Sequence, residues 1–258
     1  MIERLEQPDA RAPYDTIAAD YASIAQKSPL NKFGVYPSFY EAIGDVRGKD
    51  IIDFACGTGF VTRDLKLRGA RRVIGVDLSR EMLAIARSED NIKPLGIEYV
   101  QGRVGALGKI GDFDIVTGGW LLHYAASKEE LARMCRDVSD NLKSDGMFVA
   151  INNNPHNPLA DDPKYEVRTV PIGDFKEGCE LEVTYTVGET VVSFRQHYWK
   201  QDTYEEALRD AGLNDVEWLP IHPTGEGRKV MGRDFWDTFL ANPNSSYVQR
   251  KKSAGIEI

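Results

Sequence analysis

Only three cysteines, Cys56, Cys135 and Cys179, occur in the 258 residues, and no two of them share a metal-type spacing. An odd count suits a reducing compartment. The four histidines also lack i, i+4 or paired spacing, so no metal site is expected. No apolar run approaches the roughly 20 residues that cross a bilayer. The segment from Met1 to Arg11 is charged and lacks the apolar core of a signal peptide. Positive charge is scarce too: 32 Lys and Arg against 40 Asp and Glu leave a net charge of −8. Phosphate backbones require a basic stripe, so nucleic acid is not an expected partner. The run Arg250-Lys251-Lys252 reads as a solvated end. The expectation is a cytoplasmic chain with no membrane partner, either monomer or homodimer.

What is present describes an ordinary globular protein: 42% hydrophobic and 28% charged residues. Strand and helix patterns alternate from about residue 50 to 152. Ile51 to Phe54, Arg72 to Asp77, Ile97 to Val100, Phe113 to Thr117 and Met147 to Ile151 read as strands. Ser79 to Arg87 and Lys128 to Leu142 read as helices between them, the first capped by Ser79. Repeated βα units of this length favour a parallel sheet with helices on both faces. After residue 152 the rhythm changes. Leu181, Val183, Tyr185 and Val187 alternate with polar residues, and a second alternating run from Val191 to Trp199 follows Gly188-Glu189. That is an antiparallel hairpin by pattern. A helix over Thr203 to Ala211, a strand over Val216 to Leu219, a helix over Gly232 to Leu240 and a strand over Ser246 to Arg250 complete the chain.

Four features fall at the carboxyl ends of the strands, where open parallel sheets bind ligands. The first is the turn Gly57-Thr58-Gly59, whose glycines let a ligand approach bare backbone; alternatively it is an ordinary tight turn. Asp53 stands just before it, and its charge repels a pyrophosphate but attracts an ammonium and a sulfonium. S-adenosylmethionine (SAM) carries both. The second feature is Asp77, an acid at the end of the second strand that can accept both hydroxyls of a ribose; alternatively it is a helix N-terminal acid. The third is Gln101-Gly102-Arg103-Val104, whose backbone amides can reach an adenine edge. The fourth is Thr117 to Tyr124 at the end of the fourth strand.

These segments resemble the class I SAM-dependent methyltransferases. The resemblance rests on Asp53 to Gly59, on Val76-Asp77-Leu78-Ser79 with Met82, and on the block Phe113 to Tyr124. Tyr14 to Tyr21 also looks like the N-terminal segment that closes over the cofactor in many members. Leu121 to Ala125, Tyr198-Trp199 to Gly212 and Asp234-Phe235-Trp236 look like toxoflavin-type N-methyltransferases of small heteroaromatic compounds. The resemblance implies a Rossmann-like α/β fold of seven strands, the last antiparallel. It implies one domain: a helical cap over 1–49, a SAM-binding core over 50–152, a lid insertion over 153–200, and completing elements over 201–258. SAM would be the cofactor and S-adenosylhomocysteine (SAH) its product. Asp53, Ala55, Gly57, Thr58 and Gly59 would hold the methionine end and Asp77 the ribose. Leu78 and Met82 would cover the adenine, with Tyr14, Tyr21, Gly102, Arg103, Val104, Thr117 and Gly118 around them. Many members carry an acid where this chain has Arg103, so the adenine contact here falls to backbone or another side chain.

Methyl transfer from a sulfonium is an in-line displacement that needs orientation, water exclusion and, for some acceptors, removal of a proton. The expected acceptor is a nitrogen or oxygen of a small planar metabolite. His123 is the candidate base, because an unperturbed histidine titrates near neutral pH, with Tyr124 beside it; the alternative is a structural histidine. His197 on the hairpin and His222 in a Pro-flanked loop read as structural or solvated. Trp120, Tyr124, Tyr198, Trp199 and Trp236 are candidates for a flat acceptor wall, or for core. The hairpin is a lid, an edge extension or a dimer contact. Two rival readings share the turn. A nicotinamide-dependent oxidoreductase predicts a third glycine where Thr62 stands, and a non-catalytic SAM-binding regulator or partner subunit needs no acceptor cavity.

Overall fold

The computed structural model describes Asp15 and residues 17–159, 161–241 and 247–251. Two helices come first, α1 (Ala18–Lys27) and α2 (Tyr36–Ile43), joined through a π-helical turn over Asn31–Val35. The apolar runs then form β1 (Asp50–Phe54), β2 (Arg72–Asp77), β3 (Glu98–Gln101), β4 (Phe113–Gly119) and β5 (Leu142–Asn152). These pair in parallel in the order β3-β2-β1-β4-β5. The order reverses at β1, which has β2 on one side and β4 on the other. That reversal opens the crevice in which such sheets take ligands.

Two of the helices between the strands start where a serine side chain satisfies a free amide. α3 (Phe60–Leu67) leaves the glycine turn directly. α4 (Arg80–Ile92) is capped by Ser79 Oγ, which accepts from the Met82 amide at 3.1 Å. In α5 (Lys128–Asp140) Ser127 Oγ accepts from the Glu130 amide at 3.2 Å. Alternate strand residues feed two cores, as the period of two requires. Ile51, Ile115, Val149 and Ile151 pack on one face of the sheet with α2 and residues from the C-terminal part of the chain. Ile52, Val116, Phe148 and Ala150 pack on the other with Leu131, Met134 and Val138 of α5. Truncating a fully buried side chain such as Phe148 costs about 3–5 kcal/mol.

The expected hairpin is present as β8 (Glu180–Val187) and β9 (Thr190–His197), in register from Glu180↔His197 to Val187↔Thr190. It belongs to a larger sheet. The short β6 (Asp161–Asp162) and β7 (Val167–Pro171) precede it, in the order β6-β7-β8-β9, all antiparallel. Neither was expected, because Arg168, Thr169 and Pro171 obscure the strand pattern. The rest of the chain returns to the main sheet. α6 (Gln201–Asp210) lies against α5, and β10 (Val216–Leu219) leads to α7 (Gly225–Ala241), which departs from helical geometry at Gly232. β11 (Tyr247–Lys251) pairs antiparallel with both β5 and β10, so the main sheet counts seven strands. No helix among the described residues is long and apolar enough to cross a membrane.

Candidate active site

The glycine turn sits at the crevice. Gly57 (φ 55°) and Gly59 (φ 72°) take left-handed backbone that L side chains rarely adopt, and Ala55 does the same at 55°. A Cβ on Gly57 would meet nothing within 4 Å, so open space lies over the turn. At Gly59 a Cβ would strike the Tyr99 hydroxyl at 2.5 Å. Behind the turn, Asp53 is 2% exposed. Its two carboxylate oxygens accept from Thr62 Oγ1 at 2.6 Å and Thr117 Oγ1 at 2.8 Å. Burial lifts its pKa to about 6 against those two hydrogen bonds, and the nearby Asp77 charge adds to the rise. The place of Asp53 in the sequence predicts a charge open to the ligand; the structure corrects this, because Asp53 is buried. It lies beneath the turn and is held by hydroxyls on α3 and β4. Thr117, expected to touch cofactor, is wholly buried and uses its hydroxyl on Asp53.

At the end of β2, Asp77 is oriented by backbone. Its Oδ2 accepts from the Gly57 amide at 2.7 Å and its Oδ1 from the Ser79 amide at 2.8 Å. Desolvation raises its pKa, the backbone amides of Ser79, Gly57 and Leu78 oppose the rise, and Asp15 adds to it. Each carboxylate oxygen retains a second lone pair for a ligand hydroxyl. Leu78 is half-buried and Met82 is 2% exposed beside it. Asp15 reaches the same corner, where its Oδ1 accepts from Ser79 Oγ at 2.6 Å. Beyond β3, the Gly102 amide donates to Asp77 O at 3.0 Å. Val104 is buried, and Arg103 turns away to pair with Glu130 at 2.7 Å. Tyr14 lies outside the described residues.

The structure also holds a cavity of about 610 Å³, counting the solvent at its mouth. The loop after β4 supplies Trp120, His123 and Tyr124 to its wall. The second sheet covers it with Thr169, Tyr185, Phe194 and Gln196, and α1 contributes Tyr21 and Ile24. Tyr21, expected at the cofactor, lines this cavity and meets Phe194 edge-on, with centroids 5.7 Å apart. Trp120 has a left-handed backbone (φ 55°), a strain of about 1–3 kcal/mol for a bulky residue. Tyr36 at the start of α2 joins the two regions. Its ring lies 5.1 Å from Phe60 beside the glycine turn and 6.0 Å from Trp120 in the cavity wall. Its hydroxyl is pushed well above the usual phenol range by burial, then by Tyr185 and Asp53.

His123 departs from expectation. It is 2% exposed, and its Nδ1 has no hydrogen-bond partner among the described residues. Burial, with a smaller push from His197, takes its pKa down to about 3, so it is neutral at pH 7 and a weak base. A second, smaller cavity of about 230 Å³ shares His123 and Gln196 with the first and is bounded by His197, Tyr198 and Trp199. Tyr198 and Trp199 thus line this second space. The Trp199 indole donates to Ala125 O at 2.9 Å and packs in the core on the α5 side of the sheet. Trp236 lines neither cavity. It is fully buried, donates its indole N–H to Gly227 O at 2.8 Å and packs against Gly34. Its expected place in an acceptor wall is corrected accordingly.

A family model described as a methyltransferase domain matches residues 51–146, the stretch that builds the glycine turn and the corner around Asp77. The chain is 29% identical over 220 residues to N-demethylindolmycin N-methyltransferase of Streptomyces griseus, covering 80% of this chain and 89% of that protein. It is 31% identical over 224 residues to demethylmenaquinone methyltransferase of Lactococcus lactis, covering 80% of this chain and 82% of that one. The chain belongs to the class I SAM-dependent methyltransferases. In fold, this methyltransferase is similar to a SAM-dependent methyltransferase from Mesorhizobium loti, with a TM-score of 0.61 at 23% identity over 88% of this chain and 99% of the other. The cofactor is SAM. The open space over Gly57 and the spare lone pairs of Asp77 fit it.

Among the residues around the larger cavity, Tyr36, Tyr185, Phe194 and Gln196 are not legible as site residues in the sequence. One signal was available. Val192, Phe194 and Gln196 share the buried face of β9, and a glutamine on an apolar stripe breaks the alternation.

Proposed function

We propose that this methyltransferase passes the SAM methyl group to a nitrogen or oxygen of a small planar metabolite bound in the larger cavity. The observation that carries this reading is Tyr36, in ring contact with both the glycine-turn side and the cavity wall. It makes the cofactor corner and the cavity neighbours. SAM supplies an activated methyl group on a sulfonium leaving group. The chain's own residues orient and enclose. In this reading Asp77 holds the ribose, and the turn from Ala55 to Gly59, stiffened by Asp53 beneath it, holds the methionine end. Leu78 and Met82 flank the adenine with the backbone of Gly102, Arg103 and Val104, and Gly118 underlies the site. Trp120 and Tyr124 press on the acceptor, and the four-stranded sheet acts as its lid and excludes water. Neutral His123 accepts or donates a hydrogen bond at the acceptor and does not store a proton.

The names of the two curated relatives, an indolmycin precursor N-methyltransferase and a demethylmenaquinone methyltransferase, support a small acceptor. We read the chain as one domain in which residues 50–152 bind cofactor and 153–200 cover the acceptor. The test is a crystal structure with SAH bound. Its sulfur is expected to face the loop from Trp120 to Tyr124. A sulfur pointing away from that loop would remove the cavity from the reaction.

A further inference from the structure

The larger cavity is polar without being charged. Among its described lining residues there is no Asp, Glu, Lys or Arg. Its polar groups are hydroxyls, amides and one imidazole, as in Thr169, Gln196 and His123. An ion placed there would lose hydration and find no counter-charge among these residues. Two of the polar groups are also unanswered. Gln196 is 3% exposed, and its carboxamide has no hydrogen-bond partner among the described side chains and backbone. His123 Nδ1 is buried and unpartnered. A carboxamide offers two donors and two acceptor sites, and a ligand that covers them without pairing binds less well for it. Gln196 sits on the inward face of β9, two residues along from Phe194, and borders both cavities. Aromatic walls therefore surround a buried amide, Gln196, whose hydrogen bonds are open.

From this juxtaposition we infer that the acceptor is an uncharged molecule carrying an amide-like edge, a hydrogen-bond donor beside an acceptor, which docks on the Gln196 carboxamide. The inference rests on the acceptor-cavity reading above. An amide pairs with such an edge through two parallel hydrogen bonds, one in each direction. Thr169 and His123 flank the same space and can take a further polar group. The aromatic rings hold the flat body of the molecule in offset contact. A carboxylate, a phosphate or an ammonium would meet no counter-ion among the described lining residues.

The test uses the whole chain saturated with SAH and four bicyclic probes of matched size: quinolin-2-one, 1-naphthoate, 1-naphthylmethylammonium and naphthalene. Binding is read by ligand-observed NMR, with SAH affinity measured by calorimetry on the same samples. Quinolin-2-one is expected to bind roughly tenfold more tightly than either ion and than naphthalene. In Gln196→Leu its advantage over naphthalene is expected to vanish, while SAH affinity holds. In Gln196→Glu the ammonium probe is expected to overtake the lactam. Equal or tighter binding of naphthoate or of the ammonium by the unaltered protein overturns the inference. So does a lactam preference that survives Gln196→Leu. If all four probes bind alike, the docking edge falls and the acceptor cavity stands. If none binds while SAH does, the cavity reading falls together with the inference.

Discussion

Replacing Asp77 by alanine tests the cofactor corner most directly. The Asp77 carboxylate accepts two backbone amides, from Gly57 at 2.7 Å and Ser79 at 2.8 Å. The first of these ties the glycine turn to the end of β2. In the bound state the remaining lone pairs would accept the ribose hydroxyls. Hydrogen bonds to a charged group are worth about 1.5–3 kcal/mol when lost. Counting the ribose interaction once gives a loss of that size, or an SAH dissociation constant about 10- to 150-fold weaker. The amide contacts predict a second effect. With no acceptor for the Gly57 amide, the turn loses an anchor and the folded state loses about 1 kcal/mol. Titration calorimetry with SAH reads the first effect and urea denaturation without ligand reads the second. The two separate cleanly in a Ser79→Gly control, which keeps the backbone amide on Asp77 but removes the helix cap; stability should fall there with SAH affinity nearly unchanged. An Asp77→Ala protein that binds SAH within twofold of the parent refutes the ribose assignment. A large loss of affinity accompanied by an equal loss in the Ser79 control would assign the effect to the turn.

Asp53→Asn should be more stable than the parent at pH 8. A carboxylate lifted from 3.8 to about 6 binds its proton more readily folded than unfolded, so its penalty is absent below pH 4 and grows as pH rises through 6. The gain should approach about 1–3 kcal/mol by denaturation at pH 8 and vanish near pH 4; a gain that ignores pH would refute it. His123→Gln should flatten the acid side of the stability curve. The parent's imidazole, at about 3 when folded, binds its proton less readily than in the unfolded chain, so stability is lost as pH falls below 6.5, and a variant that loses as much as the parent down to pH 4 counts against it. Trp236→Ala should cost about 3–5 kcal/mol in unfolding free energy without changing probe binding in the cavity, because the ring is core; unchanged stability would contradict its burial.

Much of this was legible before any coordinate. The runs Ile51 to Phe54 and Arg72 to Asp77 had to be central strands, because side chains buried on both faces leave no polar alternation. The turn glycines and the acid at the end of β2 followed from backbone freedom and spacing. Ser79 as a cap was readable for the same local reason. Residues whose meaning depends on distant partners were not legible. Asp53 stood in the right place, yet its burial under hydroxyls from Thr62 and from Thr117, 64 positions away, is a product of packing. His123 looked like a neutral-pH base until its burial was seen, since titration follows from surroundings and not from residue type.

The sequence by itself determined the parallel sheet, the cofactor turn and the family, because strand period, helix caps and glycine turns are local, and each is written within a few consecutive residues. Only the tertiary structure decided which aromatics are wall and which are core. Trp120 and Trp236 are the same residue type, but one closes a loop over a cavity and the other fills the space beside Gly34. It also brought Gln196 from β9 over the loop that carries His123. Burial and juxtaposition depend on every segment that packs against a residue, and no window of neighbouring letters contains that information.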